Sequence, residues 1–231
     1  MDSHVIDFLR KYDTPTVCNA IEVAQGQRGF ANFTKQTLLA SSLDGLPMVG
    51  FARTAKIAGQ APSSDDTDVV ADRRLAYFKH MSEGPKPSVC VVEDLDYPDT
   101  IAAWWGELHT AIHKGFGMAG VVTNGLMRDL DQMVPGFPVL SGAIGPSHYF
   151  VHVEEFGTEV SVFGMSVKDG DLIHADQHGA LVIPADVTHR LTDAIDTLLR
   201  NESIVLDAVA KPDFDYAKLE QVWSKFEKAR T

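Results

Sequence analysis

The sequence predicts a single α/β domain over residues 1–231, with a β core flanked by helices and a helical C-terminal segment over residues 185–231. Two short apolar runs, at 88–92 and 119–123, are typical of buried strands because proline or glycine bounds each of them. From residue 185 onward, apolar residues recur instead at helical spacing. A chain of 231 residues with 45% hydrophobic residues fits one large domain with a sizeable core.

The first half of the chain alternates helical and strand patterns. The run Asp13-Thr14-Pro15 marks a helix start, because Asp or Thr can cap the helix and proline fits its first turn. Residues 25–47 have few periodic cues and are predicted to be rich in loops. The predicted elements are helices over 3–11, 15–24 and 66–80 and strands over 48–58 and 88–92.

Residues 104–129 are predicted to form a loop, a helix, a strand and a second loop. Gly106-Glu107 marks the start of the helix, since a first-turn carboxylate suits the positive end of the helix dipole. Gly115 or Gly117 ends that helix. Asn124-Gly125 then turns the chain, and Arg128-Asp129 follows at once.

The second half is predicted to hold short strands and then helices. Residues 142–153 are expected to be extended, which argues against a helical metal site formed by His148 and His152. His178 is expected to be a turn residue. The remaining predicted elements are strands at 139–140, 159–162, 165–167, 172–174 and 180–183 and helices from 185 and over 216–228.

Composition excludes several classes of function. A formal net charge of −12 and the lack of a basic stripe argue against a nucleic-acid binder. No run approaches the roughly 18 apolar residues of a membrane span, and Met1-Asp2-Ser3-His4 does not begin a signal peptide. Cys18 and Cys90 form no metal-type cluster and are expected to be buried thiols. Together these features favour a cytoplasmic protein.

Arg128 and Asp129 carry the chemistry that the sequence suggests. A helix N-terminus offers free amides that bind anions, here those near Gly106, Leu108 and His109. Arg128 can hold a carboxylate with two hydrogen bonds, and Asp129 is a hard oxygen ligand for Mg²⁺ or Mn²⁺. Together they are predicted to bind a 2-oxo acid. The alternative is a turn-forming surface pair.

A second acidic group follows the strand at 88–92. Glu93, Asp94 and Asp96 form either a metal site or an ordinary acidic strand exit, and the latter is the more common arrangement.

The sequence resembles the RraA-like / HMG aldolase superfamily over most of its length. That superfamily includes class II pyruvate aldolases acting on 4-hydroxy-4-methyl-2-oxoglutarate, oxaloacetate decarboxylases and the ribonuclease E regulator RraA. The matching segments are Trp105-Gly106-Glu107-Leu108, residues 120–125, Arg128-Asp129, residues 14–17, residues 49–54, Gly170-Asp171, Ala175-Asp176, Gly179 and Ile183-Pro184.

The resemblance implies an RraA-like fold of the swivelling β/β/α type, with a barrel-like or sandwich β core. It also implies a homotrimer or hexamer with sites between protomers. In the resembled aldolases, a late-helix glutamate acts from a second subunit, and Glu202 matches that place. Asn19 lies near the position of an acidic residue that reaches the neighbouring subunit's site, so this chain departs from the pattern there.

The resemblance and the residues together predict a metal-dependent lyase that cleaves a small 2-oxo acid through a pyruvate enolate. Arg128, Asp129 and Glu107 are the predicted catalytic residues, with Asp129 on the metal and Glu107 holding a metal-bound water. Oxaloacetate decarboxylation needs no base for a 4-hydroxyl group, so it is less demanding than retro-aldol cleavage when Asn19 replaces an acid. The alternative is a non-catalytic regulator that binds a ribonuclease or another protein partner.

Overall fold

A computed structural model of the chain describes residues 3–229. These residues form two compact units. The first runs to Thr14 and resumes from Ala31 to Ile183; the second comprises Pro15–Phe30 and the chain from Pro184 onward. That the whole chain is one domain stays a prediction. The N-terminal pair Met1-Asp2, used above in the signal-peptide argument, lies outside the described residues.

The order of elements follows the predicted alternation of helices and strands. The helices are α1 (Ser3–Leu9), α2 (Thr14–Gln25), α3 (Thr67–Ser82), α4 (Glu107–Gly115), α5 (Leu191–Val209) and α6 (Tyr216–Ala229). The strands are β1 (Leu39–Ala40), β2 (Met48–Ala58), β3 (Ser88–Asp94), β4 (Ala103–Trp105), β5 (Met118–Thr123), β6 (Leu126–Met127), β7 (Val139–Ser141), β8 (Ala143–Ile144), β9 (His152–Phe156), β10 (Val160–Val162), β11 (Met165–Val167), β12 (Leu172–Asp176) and β13 (Gly179–Ile183).

A mixed sheet forms the centre of the first unit, in the order β1-β7-β5-β3-β2-β12-β13, with β9 also paired to β2. The pairs β2–β3, β3–β5 and β5–β7 are parallel, and β12 pairs antiparallel with both β2 and β13. Side chains of one strand alternate between two apolar layers: Val89 and Val91 belong to one, Cys90 and Val92 to the other. The fully apolar run of β3 is therefore explained by burial on both faces.

A second, three-stranded sheet joins β4, β6 and β8 in parallel. This sheet was not predicted, and residues 104 and 105 were expected to be loop, because strands of two or three residues are too short to show a period. This small sheet matters for the site. Strand β4 leads directly into α4, and β6 leads directly into Arg128.

Two further expectations are corrected. The C-terminal helix begins at Leu191 and not at residue 185, because a 3₁₀ turn over Thr188–Arg190 follows Pro184. The Thr188 hydroxyl donates to the Pro184 carbonyl at 3.1 Å and stabilises that turn. Cys90 is buried as expected, but Cys18 is only partly buried.

Among residues 3–229, no helix combines the length and the apolar character needed to cross a membrane.

Gly120 supplies a test of how tightly β5 packs. Its φ is +153°, and a Cβ there would overlap Met48 Sδ and lie 2.5 Å from the Pro138 carbonyl oxygen. We predict that Gly120→Ala lowers the free energy of unfolding by about 2–4 kcal/mol, through backbone strain and overpacking. The matched control is Gly115→Ala at the end of α4, where a Cβ meets nothing within 4 Å. Urea denaturation of both variants measures the difference, and equal effects would contradict this account of the packing.

Candidate active site

A cavity of about 500 Å³ in the first unit is the candidate site. Its walls come from α3 and the turn before it, the start of α4, Arg128 and the segment 148–152. All four residues predicted to bind substrate line it: Gly106, Leu108, His109 and Arg128. The cavity is large enough for a small organic acid.

The start of α4 provides the free amides that the sequence predicted. The first hydrogen bond of the helix runs from the Thr110 amide to the Gly106 carbonyl at 3.0 Å. The amides of Glu107, Leu108 and His109 therefore precede the intrahelical ladder and have no acceptor within the helix. The Glu107 amide faces Asp129 Oδ2 at 3.4 Å, so the carboxylate lies at the positive end of the helix dipole.

Arg128 and Asp129 are held beside this helix start by the small sheet. The Arg128 amide donates to the Trp105 carbonyl at 2.8 Å, which fixes the chain at the end of β6. Asp129 adopts a left-handed backbone conformation, with φ 54° and ψ 42°. That conformation is uncommon for residues other than glycine, although Asp tolerates it better than most. The Arg128 Nε and Asp129 Oδ2 atoms lie 3.5 Å apart.

Gly106 makes this close approach possible. A Cβ at this position would overlap Asp129 Oδ2 and lie 3.1 Å from both Cγ and Nε of Arg128. The backbone of Gly106 is extended, with φ −149°, so its conformation does not require glycine. The requirement is space, because any side chain would displace both Arg128 and Asp129.

The Arg128 guanidinium has unused hydrogen-bonding capacity. Its Nε is buried and has no hydrogen-bond partner in the described chain, and the contact with Asp129 is too long for one. Buried donors in proteins nearly always find an acceptor. The side chain is still 28% exposed, so an acceptor from outside the chain can reach it.

The imidazole of His109 also lines the cavity, whereas the sequence analysis considered only its backbone amide. Its ring centroid is 4.1 Å from that of Trp104. Burial first, then the charges of His113, Arg74 and Arg128, lower the pKa of His109 to about 3. The imidazole is therefore neutral at physiological pH, and the positive charges of two arginines contribute to that.

Beneath the cavity, a buried pair connects α3 with α4. The Tyr77 hydroxyl lies 2.7 Å from His113 Nε2, and His113 Nδ1 lies 2.6 Å from the His109 carbonyl. Burial lowers the pKa of His113 to about 4 and raises the pKa of Tyr77 well above its usual value. A neutral His113 that donates a hydrogen bond from Nδ1 can accept one from the Tyr77 hydroxyl at Nε2. The sequence analysis missed this pair, because neither residue lies in a recognisable motif.

The residues at the start of α4 and the Arg128-Asp129 turn fit a cation that takes one or two ligands from the protein and the others from water. Within residues 3–229, no three His, Cys, Asp or Glu side chains gather into a metal cluster. Asp129 is 38% exposed and can offer one carboxylate, and Glu107 is exposed nearby. Mg²⁺ often binds through one or two carboxylates and retains several waters, so this sparse donor set suits it.

The acidic strand exit at the end of β3 has a structural role. Asp96 Oδ2 accepts the amides of Gly59 and Gln60 at 2.6 and 2.9 Å. Glu93 Oε2 accepts the Ser161 amide at 3.0 Å, and Asp94 Oδ1 accepts the Asp96 amide at 3.0 Å. Each carboxylate therefore accepts at least one backbone hydrogen bond, which gives the acidic strand exit a structural explanation.

His148 and His152 both line the cavity, although they form no metal pair. His152 Nε2 contacts Glu154 Oε1 at 2.7 Å, and His148 Nδ1 contacts the Tyr149 carbonyl at 2.8 Å. The segment between them is not helical, but Tyr149 and Phe150 form a turn where extended chain was expected, and the strand begins only at His152. His178 occupies the predicted turn and contacts Asp176.

Asn19 and Glu202 lie in the second unit, where both line a separate cavity of about 380 Å³. Its other walls include Glu22 and Trp223. The expectation that Asn19 and Glu202 act at the site of another subunit stays a prediction.

The fold and the cavity define an α/β protein with a cavity lined by the start of a helix, α4. The family described as RraA-like, Aldolase/RraA, matches residues 14–182. The chain belongs to this family, as its resemblance indicated.

Individual relatives are distant. A protein of Halalkalibacterium halodurans named "Putative 4-hydroxy-4-methyl-2-oxoglutarate aldolase" is 28% identical over 187 residues, which cover 80% of each chain. A solved structure of an uncharacterized protein from Pseudomonas syringae is 20% identical and covers 97% of this chain and 95% of its own, with a TM-score of 0.68. Streptomyces coelicolor RraAS2, an unusual member of the RNase ES inhibitor RraA family, is 21% identical and covers 91% and 98%, with a TM-score of 0.67. At these identities the solved structures show the fold alone.

Asp94 gives a pH test of the structural role assigned to the strand exit. Burial raises the pKa of Asp94 to about 6. The pKa is about 3.9 in an unfolded chain. The folded state therefore binds the proton more tightly, and its stability falls as pH rises from about 4 to about 6. Asp94→Asn retains an acceptor for the Asp96 amide but cannot ionise.

We predict that Asp94→Asn gains stability relative to wild type across this pH window and keeps a constant advantage above it. Urea midpoints between pH 4 and pH 8 measure the change, with the exposed Asp72→Asn as the control for a lost charge. A pH-independent difference would contradict the assigned cause.

Proposed function

We propose that the chain is a divalent-metal-dependent lyase that cleaves a carbon–carbon bond of a small 2-oxo acid through a pyruvate enolate. One observation carries the proposal. The Arg128 guanidinium lines the cavity, and its Nε has no hydrogen-bond partner in the described chain and lies 3.5 Å from Asp129 Oδ2; that carboxylate oxygen in turn lies 3.4 Å from the Glu107 amide at the start of α4. Membership of the Aldolase/RraA family and the printed name of the Halalkalibacterium relative support this class of reaction.

The protein's own groups account for substrate binding. The substrate carboxylate would bind Arg128 through charge-assisted hydrogen bonds, and the amides of Leu108 and His109 would share its charge. Because the His109 imidazole is neutral, it adds no further positive charge to those of Arg128 and the proposed metal ion. Trp104 packs against that imidazole and closes one side of the cavity.

Asp129 is the proposed ligand for Mg²⁺ or Mn²⁺. When bound, the ion would supply Lewis-acid stabilisation for negative charge on the keto oxygen as the carbon–carbon bond breaks. Glu107 is exposed in the first turn of α4, and its own amide lies 3.4 Å from Asp129 Oδ2. We assign it the role of orienting a water molecule at this position.

Two reactions meet these requirements. Retro-aldol cleavage of a 4-hydroxy-2-oxo acid needs a base for the hydroxyl proton, whereas oxaloacetate decarboxylation releases CO₂ without one. Asn19 cannot act as that base, so Glu202 is the remaining second-subunit candidate for the aldol reaction. Decarboxylation is therefore the activity that this residue set supports with the fewest additional groups.

A regulator that binds a protein partner is the second candidate. Exposed apolar side chains border the cavity, among them Leu108, Tyr149 and Phe150. Such a surface suits either a protein partner or self-association into the homotrimer or hexamer that the family resemblance implied. A pull-down without divalent metal distinguishes the regulator, because it would recover a stoichiometric partner from a protein with no lyase activity.

Substitution and chelation test the lyase directly. We predict that Arg128→Ala and Asp129→Asn each lower kcat/KM for oxaloacetate decarboxylation by about 100-fold or more, since the first removes the partner of the substrate carboxylate and the second weakens the binding of the metal that stabilises the enolate. Excess chelator should abolish activity, and Mg²⁺ or Mn²⁺ should restore it. Pyruvate release measures the rate, corrected for the metal-catalysed background.

The matched controls are Arg200→Ala on α5 and Asp131→Asn just beyond the site, both exposed. Full activity in excess chelator, or equal losses in site and control variants, would count against the lyase.

A further inference from the structure

The cavity holds a second arginine that the proposed chemistry does not use. Arg74 is an exposed residue of α3, and its side chain lines the cavity together with Arg128 and His109. Both arginines lie near enough to the His109 imidazole to act on its charge. The two guanidinium groups therefore approach one small cavity from two elements, α3 and the end of β6.

Arg74 has no acidic partner within the described part of the chain. Two nearby carboxylates pair with its neighbour in sequence instead: Arg73 contacts Asp65 Oδ2 at 2.5 Å and Glu154 Oε2 at 4.0 Å. Arg73 also donates to the Val153 carbonyl at 3.3 Å. Arg73 therefore makes structural contacts, whereas the Arg74 side chain forms no ion pair within the described residues.

The cavity lining contains two arginines and one carboxylate residue. Asp65 is the one carboxylate residue in the described lining, and Arg73 neutralises it. Of the lining histidines, His152 contacts Glu154, and His109 is neutral. Arg128 pairs with Asp129 at 3.5 Å, whereas Arg74 has no ion pair within the described residues. An arginine without an ion pair in the cavity lining is a place where an anionic group of a ligand can bind, in a chain whose net charge is otherwise −12.

We propose that Arg74 is a specificity-determining residue that binds a second anionic group at the far end of the ligand. This inference rests on the proposed 2-oxo acid site, in which Arg128 and the α4 amides take the first carboxylate. A ligand with carboxylates at both ends would pair each with its own guanidinium. A ligand with an apolar far end would leave Arg74 without an acceptor and would lose that contribution.

The fixed geometry of the walls supports two separate anchors. The buried Tyr77 hydroxyl, one turn beyond Arg74, contacts His113 of α4 at 2.7 Å. This contact joins the helix that carries Arg74 to the helix whose amides face Asp129. Because this contact connects the two helices, it relates the backbone position of Arg74 on α3 to that of the α4 amides.

Equilibrium binding separates this proposal from the proposed reaction. Isothermal titration calorimetry in Mg²⁺ would compare 2-oxoglutarate, which has a distal carboxylate, with 2-oxopentanoate, which has a methyl group there. Wild type should bind 2-oxoglutarate more tightly. Arg74→Gln should weaken 2-oxoglutarate binding by about 10- to 100-fold and change 2-oxopentanoate binding less than about twofold. Arg74→Lys should retain part of the preference.

Lys79→Gln is the matched control, because it removes an exposed cation from the same helix away from the cavity. If Arg74→Gln lowers the affinity for both ligands equally, or for neither, Arg74 does not bind the distal group of the ligand. That result overturns this proposal and leaves the proposed 2-oxo acid site intact. If wild type binds neither ligand, both the site and this inference are overturned. Thermal unfolding of each variant confirms that the exposed substitutions leave the fold intact.

Discussion

The contact between the start of α4 and the Arg128-Asp129 turn is the constraint on which the site depends. Asp129 Oδ2 reaches the Glu107 amide because Gly106 has no side chain to separate them. The same gap admits the Arg128 side chain. An amide cluster, a guanidinium and a carboxylate are thereby brought together at the start of α4, where the guanidinium also lines the cavity. None of the three would be distinctive alone, since each occurs widely on protein surfaces.

The surrounding structure fixes this contact from two sides. The small sheet of β4, β6 and β8 positions the chain on both sides of it, with the Arg128 amide bound to the Trp105 carbonyl at 2.8 Å. Below, Tyr77 and His113 connect α3 to α4 without charge, since burial keeps both groups neutral. The core therefore supplies a rigid frame, and the exposed ends of Arg74, Arg128 and Asp129 carry the charge.

Much of the fold was predictable because its longer elements have clear periods. The limits of β2 and the double-sided burial of β3 were predicted from apolar runs, and the start of α2 from Asp13-Thr14-Pro15. The convergence of Arg128-Asp129 with the start of α4 was likewise predicted, from a glycine turn after a strand. The small sheet was not, because its strands contain only two or three residues. Arg74, Tyr77 and His113 were missed for another reason: their partners are distant in sequence, and only the folded chain shows which arginine of the Arg73-Arg74 pair remains free.

A crystal structure with Mn²⁺ and oxalate, a stable analogue of the pyruvate enolate, tests the central claim most directly. The account predicts an anomalous Mn²⁺ peak at the Asp129 carboxylate, with oxalate oxygens within hydrogen-bonding distance of Arg128 and the amides of Leu108 or His109. Mn²⁺ and oxalate bound elsewhere at saturating concentration, with Arg128 and Asp129 unchanged and uncontacted, would contradict it.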